Sequence, residues 1–274
     1  MLGALARHVT KIREFTDGVF VWRFGVIHIV QLDRAATGEP LAPILDEVLR
    51  HPSGKFVAEI SLKLDPEPEV AAVLALLARD PSPSLRAFEL ATTADCGDLG
   101  PFLRAHPKLR RLAIRGRIGT TDLSPMHETL RSIVTASLPE LEELELRLLN
   151  RDMLFSHLRP LLRRGDLPAL KRLRVRSADY LDEIIAELVE SPLAPQLTVL
   201  DLGLAEVGDP SVRRLLNHQA RFPELAEVVL MRGFLSRSVL GELQGMVKKV
   251  TFVDEDPDDE DRMADGEYFD GVEE

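Results

Sequence analysis

At 274 residues, 45% of them hydrophobic, the chain is long enough to bury a sizeable core as one body or as two domains. A single cysteine, Cys96, excludes an intrachain disulfide and gives no sign of an oxidising compartment. The net charge of −11 is not a property of the body: residues 254–274 hold twelve acids and one Arg, while residues 1–253 balance at 33 acids and 33 bases, so the overall pI says little about what the body binds.

In chain order, the start MLGALARHVTKIREF has charges too early and an apolar stretch too short for a signal peptide. No run of eighteen apolar residues follows anywhere, so neither a transmembrane helix nor a membrane partner is expected, and the expected location is the cytoplasm. Val19–Phe24 and Val26–Gln31 are β-rich runs parted by Gly25, which predicts two strands as a hairpin or as bent strands at a sheet edge. The lone Trp22 belongs with core or cap packing. Glu39–His51 reads as the first helix, with Leu41, Ile44, Leu45, Val48 and Leu49 as its apolar set.

From there a three-residue frame, L-x-x-L-x-L, recurs. Its first positions are Val57, Leu85, Leu109, Leu141, Leu170, Leu197, Leu225 and Val247, in steps of 22 to 32 residues. The alternating later positions suit a strand with one buried face. The segment between frames holds a helix, as at Tyr180–Val189, where Leu181, Ile184, Ile185 and Leu188 form an apolar stripe. Met153–Leu162, Val70–Leu77 and Val212–Leu216 read alike. Pro107, Pro139, Pro168, Pro195 and Pro223 each precede a frame and turn the chain from helix toward strand. One strand, one turn and one helix cannot bury an apolar face alone, so the units must stack.

The frames and the stretch LTVLDLGLAEVGDPSVRRLL resemble the leucine-rich-repeat proteins, specifically the ribonuclease-inhibitor-like class with long helical repeats. The second half, through ADYLDEIIAELVESPLAPQLTVLDLGL and the FLS at 234–236, together with an acidic, Tyr-bearing end, is similar to an uncharacterised family of bacterial leucine-rich-repeat proteins. The resemblance implies an α/β solenoid of about eight repeats, with a parallel sheet on the concave face and helices on the convex face. The organisation read from it is 1–54 as N-terminal β segment and capping helix, 55–253 as solenoid and 254–274 as an acidic, mobile tail. One departure stands out. The family places Asn or Cys eight positions after the first Leu; here those positions are Asp65, Thr93, Arg117, Leu149, Ala178, Ala205 and Gly233, which predicts irregular turns.

Enzymatic signatures are missing. There is no G-x-S-x-G, H-E-x-x-H, Walker or dinucleotide-binding glycine pattern. GRIG at 116–119 reads as a turn after a strand, without the Lys-Ser or Lys-Thr of a phosphate loop. An EF-hand in the tail fails because Met263 and Val272 occupy ligand positions. His51 and His106 each precede Pro at a helix end, in a capping or solvated role. Glu142 and Glu143 are adjacent on a strand and point to opposite faces or to a strand edge. No catalytic residue, cofactor or metal is expected.

The partner surface follows from the frame. Positions between the buried ones project from the other face of the sheet. They bring together Arg111, Arg115, Glu143, Glu145, Arg147, Arg172, Arg174, Arg176 and Asp201. Arg115, Arg147 and Arg176 form a ladder of like charges, costly unless Glu143 and Glu145 offset it. Two readings apply: a patch for anions or acidic proteins, or a mixed, solvated charge lattice. The functional expectation is a monomeric, non-enzymatic protein-interaction module. Its alternatives are a regulator of a partner enzyme, by analogy with GTPase-activating leucine-rich-repeat proteins, and an enzyme. Nucleic acid is disfavoured because the body is neutral and the basic rows lack aromatics. The acidic tail is a solubilising segment, or one that folds back on the basic face.

Overall fold

A computed structural model describes residues 20–65, 67–117, 128–148, 155–176, 180–231 and 235–253. Ten strands form one sheet whose spatial order is the chain order. Strand β1 (Phe20–Arg23) pairs antiparallel with β2 (Val26–Asp33), and every later pair is parallel. The parallel strands are β3 (Glu59–Lys63), β4 (Ala87–Asp95), β5 (Arg111–Arg117), β6 (Glu143–Leu148), β7 (Arg172–Arg176), β8 (Val199–Glu206), β9 (Glu227–Met231) and β10 (Lys249–Val253). The helices are α1 (Arg34–Thr37), α2 (Leu41–Arg50), α3 (Glu67–Arg79), α4 (Gly100–Ala105), α5 (Glu128–Thr135), α6 (Phe155–Leu162), α7 (Leu181–Glu190), α8 (Asp209–Asn217) and α9 (Arg237–Met246). The result is an α/β fold with strands and helices alternating in a solenoid-like repeat.

The frame sets this architecture. Its second positions lie directly opposite one another from Ile60 through Phe88, Leu112, Leu144, Leu173 and Leu200 to Val228 and Val250. A slip of one residue on any strand would turn its apolar set to water, so burial fixes the register. All three frame residues are buried on every strand from β3 to β9; on β10 Val250 and Phe252 are only partly covered. The helices add their own stripes, such as Val70, Val73 and Leu77 on α3 or Leu181, Ile184, Ile185 and Leu188 on α7, and one continuous core results. Each fully buried Leu or Ile is worth about 1.5–3 kcal/mol, a gain no single unit makes without its neighbours.

The N-terminal strands form the expected hairpin. Phe24 (φ 52°) and Gly25 (φ 82°) at its tip both take left-handed backbone, as a two-residue loop of the I′ kind requires. Trp22 is not a core residue: it stands on the edge strand about one third exposed, its ring edge-on to His51 at 6.4 Å. The helix expected from Glu39 begins at Leu41 and buries Leu41, Ile44, Leu45 and Val48, with Leu49 partly covered.

The turns vary as the missing Asn implied. Asp65 takes over part of that role, accepting from the Thr93 backbone N–H and hydroxyl of the next repeat, each at 3.2 Å. Strand β4 opposes Ala91 to Arg115 but Asp95 to Arg117, and β8 opposes Leu202 to Leu230 but Glu206 to Met231, so each carries a bulge at its C-terminal end. Gly116 allows the first of these. It lies within β5, not in a turn after it, and a side chain there would meet the Thr92 carbonyl oxygen at 2.7 Å. Positions 149, 178 and 233 lie outside the described residues.

On the helical side, buried polar groups tie one repeat to the next. Arg164 donates to the Ile133 and Ala136 carbonyls at the end of α5 (2.8 Å to Ala136) and forks onto Asp166. Glu187 on α7 receives Arg159 of α6 and Arg163 just beyond its end. His106 is buried rather than solvated. Its ring stacks on Phe102 (4.8 Å between centroids) and its Nδ1 lies 3.0 Å from the Phe102 carbonyl, so it does cap the end of α4. Burial pushes its pKa below the ordinary imidazole range, against the raising effect of that carbonyl.

Candidate functional site: the charged face of the sheet

The face of the sheet opposite the helices carries three registered rows. One runs Glu59, Ala87, Arg111, Glu143, Arg172, Val199, Glu227, Lys249 from β3 to β10. The next runs Ser61, Glu89, Ala113, Glu145, Arg174, Asp201, Val229, Thr251. In the third, Lys63, Ala91, Arg115, Arg147 and Arg176 lie side by side. The sheet thus brings all nine residues of the expected site onto one surface, with adjacent strands about 4.8 Å apart.

Carboxylates offset the three-arginine ladder. Arg115 donates from Nε to Glu145 at 2.8 Å and pairs with Glu89 at 3.0 Å. Arg176 meets Asp201 with Nη2 at 2.9 Å and Nε at 3.4 Å. Arg174 reaches Glu143 at 3.4 Å and Glu145 at 3.7 Å, and Arg172 reaches Glu143 at 3.4 Å. Arg111 contacts Glu89 at 2.9 Å, Glu143 at 3.7 Å and Glu59 at 3.8 Å. Glu143 faces Arg111 and Arg172 directly within its own row, whereas Arg115–Glu145, Arg115–Glu89, Arg176–Asp201, Arg174–Glu143 and Arg111–Glu89 cross from one row to the next.

Depth separates the members of this lattice. Glu145, Asp201, Glu143 and Arg147 are buried, whereas Arg172 is 56% exposed and Lys249 64% exposed at the side chain. The arginines lie over the carboxylates and cover them, so the lattice is mixed, as one expectation held, but only partly solvated. Burial alone would raise the Glu145 carboxyl. The hydrogen bond from Arg115 and the charges of Arg115, Arg174 and Arg176 outweigh it and hold the group below the ordinary glutamate range. Glu142 is exposed beside Arg110, while Glu143 faces the lattice, so the two carboxylates do point to opposite sides.

Sequence reasoning left Glu59, Glu89, Glu227 and Lys249 out of the site, although the frame placed each in its row. Glu89 belongs at the centre, since it binds Arg111 and Arg115 together. Its place between the core residues Phe88 and Leu90 was the available signal. Over the three rows, eight cationic side chains oppose six carboxylates, a formal excess of two positive charges. The arrangement is a stiff, wired surface with exposed cations at its margin, suited to carboxylates presented by another chain.

Elsewhere, Cys96 is buried beside an apolar groove between α3 and α4, lined by Ala71, Leu74, Ala75, Ala78, Pro101 and Phe102. The groove lies in a short step between frames, Leu85 to Leu109, where α4 is six residues long beside the thirteen of α3. Among the described residues no cluster of three His, Cys, Asp or Glu is placed to hold a metal ion. No helix among them is long and apolar enough to cross a membrane. The tail positions weighed and rejected as an EF-hand lie outside the described residues.

No protein-family model matches the chain, and no curated protein matches it. Among solved structures, a structural-genomics protein from Bacteroides fragilis is similar over 90% of this chain and 80% of its own, at 18% identity with a TM-score of 0.56. That likeness is one of fold: an α/β chain built on a mostly parallel sheet.

Proposed function

We propose that the chain is a non-enzymatic leucine-rich-repeat module of the ribonuclease-inhibitor-like class, with about eight repeats, that binds a protein partner through the concave face of its sheet. The partner segment is acidic. The observation that carries this reading is the registered charge lattice, in which Glu143, Glu145 and Asp201 are buried against arginines while Arg172 and Lys249 project. A lattice held by its own ion pairs loses little side-chain freedom when a partner arrives, which favours affinity. Arginine is also over-represented among residues that dominate binding energies.

The test is capture from a lysate of the source cell by the full chain, by an Arg172→Ala/Lys249→Ala variant, and by a Lys108→Ala control. Lys108 is exposed on the connection entering β5. A protein retained by the wild type and the control but lost by the double variant supports the reading. An identical set captured by all three refutes it.

A further inference from the structure

We infer that β1 is a dimerisation edge: two copies of this chain pair their β1 strands antiparallel, about a twofold axis at Val21. The inference stands apart from the concave-face reading and replaces the monomer expected from the sequence.

The first support is where exposed apolar surface collects. Among the described residues four large hydrophobic side chains are exposed, Val21, Trp22, Phe24 and Phe56, and three of them belong to β1 and its hairpin tip. Single exposed apolar residues are ordinary, but a contiguous group marks an interaction site. Phe24 is fully exposed at the tip, in left-handed backbone (φ 52°) that an aromatic residue rarely adopts.

The second support is the edge itself. Strand β1 ends the sheet and pairs on one side only, with β2, so its other side has no ladder partner among the described residues. Edge strands are commonly blunted by Pro, Lys or a bulge that twists them away. Phe20–Arg23 contains neither Pro nor Lys, and its one charge, Arg23, stands at the end. The irregularity in the hairpin is an extra residue in β2, since Val21 opposes Ile29 and Trp22 opposes Ile27. The outer side of β1 therefore stays regular.

A second copy is the occupant that this edge fits. Across a twofold axis the same patch must be complementary to itself. Phe20, Val21 and Trp22 read aromatic, aliphatic, aromatic in either direction. An axis at Val21, perpendicular to the sheet, sets Val21 against the partner's Val21 and Phe20 against the partner's Trp22. Phe20 and Trp22 lie opposite the buried Val30 and Ile27 of β2, hence on the core side, whereas Val21 opposes Ile29 on the other face. Core side thus meets core side. The aromatic pairs cover Trp22 where one chain leaves it about one third exposed. Each Arg23 falls two residues beyond the axis, which parts the two by about 14 Å along the strands, more than the Debye length of about 8 Å at physiological salt.

A contact centred on a strand of four residues is smaller than a standard interface, so a dissociation constant of about 1–100 µM is expected. The contact uses the edge and leaves the rows from β3 to β10 open. Each dimer therefore presents two charged faces on one side of a continuous sheet.

The test is sedimentation equilibrium of the full chain from about 1 µM to about 1 mM, which brackets that constant. The wild type should pass from monomer to dimer. Emission of Trp22, the lone tryptophan, should move to longer wavelength on dilution. Val21→Lys and Val21→Glu each set like charges against each other at the axis and should weaken association at least about tenfold. Val21 is already partly exposed on an edge strand, so both chains should keep the wild-type melt. An equimolar mixture of the two variants should dimerise again. A wild type that stays monomeric through about 1 mM overturns the inference, and so does a dimer unaffected by Val21→Lys. Loss of dimer in both variants with no recovery on mixing overturns the axis at Val21.

Discussion

Glu145→Gln should destabilise the protein while its neighbour Glu142→Gln does not. The Glu145 side chain is 1% exposed, accepts Arg115 Nε at 2.8 Å, and lies 3.7 Å from Arg174. Breaking a buried pair by removing one partner costs about 3–5 kcal/mol. Arg115 keeps Glu89 at 3.0 Å and is itself about 30% exposed, and the amide retains an oxygen to accept with, so about 2–3 kcal/mol is expected. Glu142 is 56% exposed and reaches Arg110 only at 3.6 Å, so its change should stay below about 0.5 kcal/mol. Urea unfolding followed by circular dichroism measures both through the midpoint. The pH dependence supplies a second readout. A carboxyl held below the ordinary glutamate range is less protonated folded than unfolded. Its stabilisation is therefore present above the unfolded value of about 4.3 and lost as pH falls through the folded one. Wild type and Glu145→Gln should converge in that acid range. Equal costs for Glu145→Gln and Glu142→Gln, or a gap that persists in acid, would refute the buried-lattice account.

Three further outcomes follow from the same geometry. Arg164→Ala should cost about 2–4 kcal/mol in urea melts, because it strips buried carbonyls at the end of α5 of their donor. His106→Gln should flatten the loss of stability on acidification: the folded imidazole resists protonation, so the wild type loses stability as pH falls below the unfolded value of about 6.5, and thermal melts between neutral and mildly acid pH check this. Gly116→Ala should cost about 1–3 kcal/mol because a backbone carbonyl, not a flexible side chain, stands in the way; an unchanged melt would mean that the β4 bulge yields freely.

The strands and their register were legible because a period of two, repeated along the chain, leaves one way to bury Leu112, Leu144 and Leu173 together. The rows of the charged face followed at once, since they are the same strands seen from the other side. Pairing within the rows was not legible. Whether Arg115 turns to Glu145 or lies beside Arg147 depends on side-chain directions that spacing does not encode, and so does Glu89's hold on two arginines. The bulges escaped for another reason. Residues 92–94 and 203–205 look like ordinary turn residues, and only the neighbouring strand reveals that they are surplus. His106 shows a further limit. A histidine before proline at a helix end reads alike whether it caps in water or in the core, and Phe102 decided the matter.

The most direct test of the central claim is calorimetric titration of the captured partner into the wild type and into Arg172→Ala/Lys249→Ala. A loss of at least tenfold in affinity, about 1.4 kcal/mol, with both chains equally folded, is the predicted result. Affinities within about twofold of each other, under 0.5 kcal/mol, would contradict binding through the charged face.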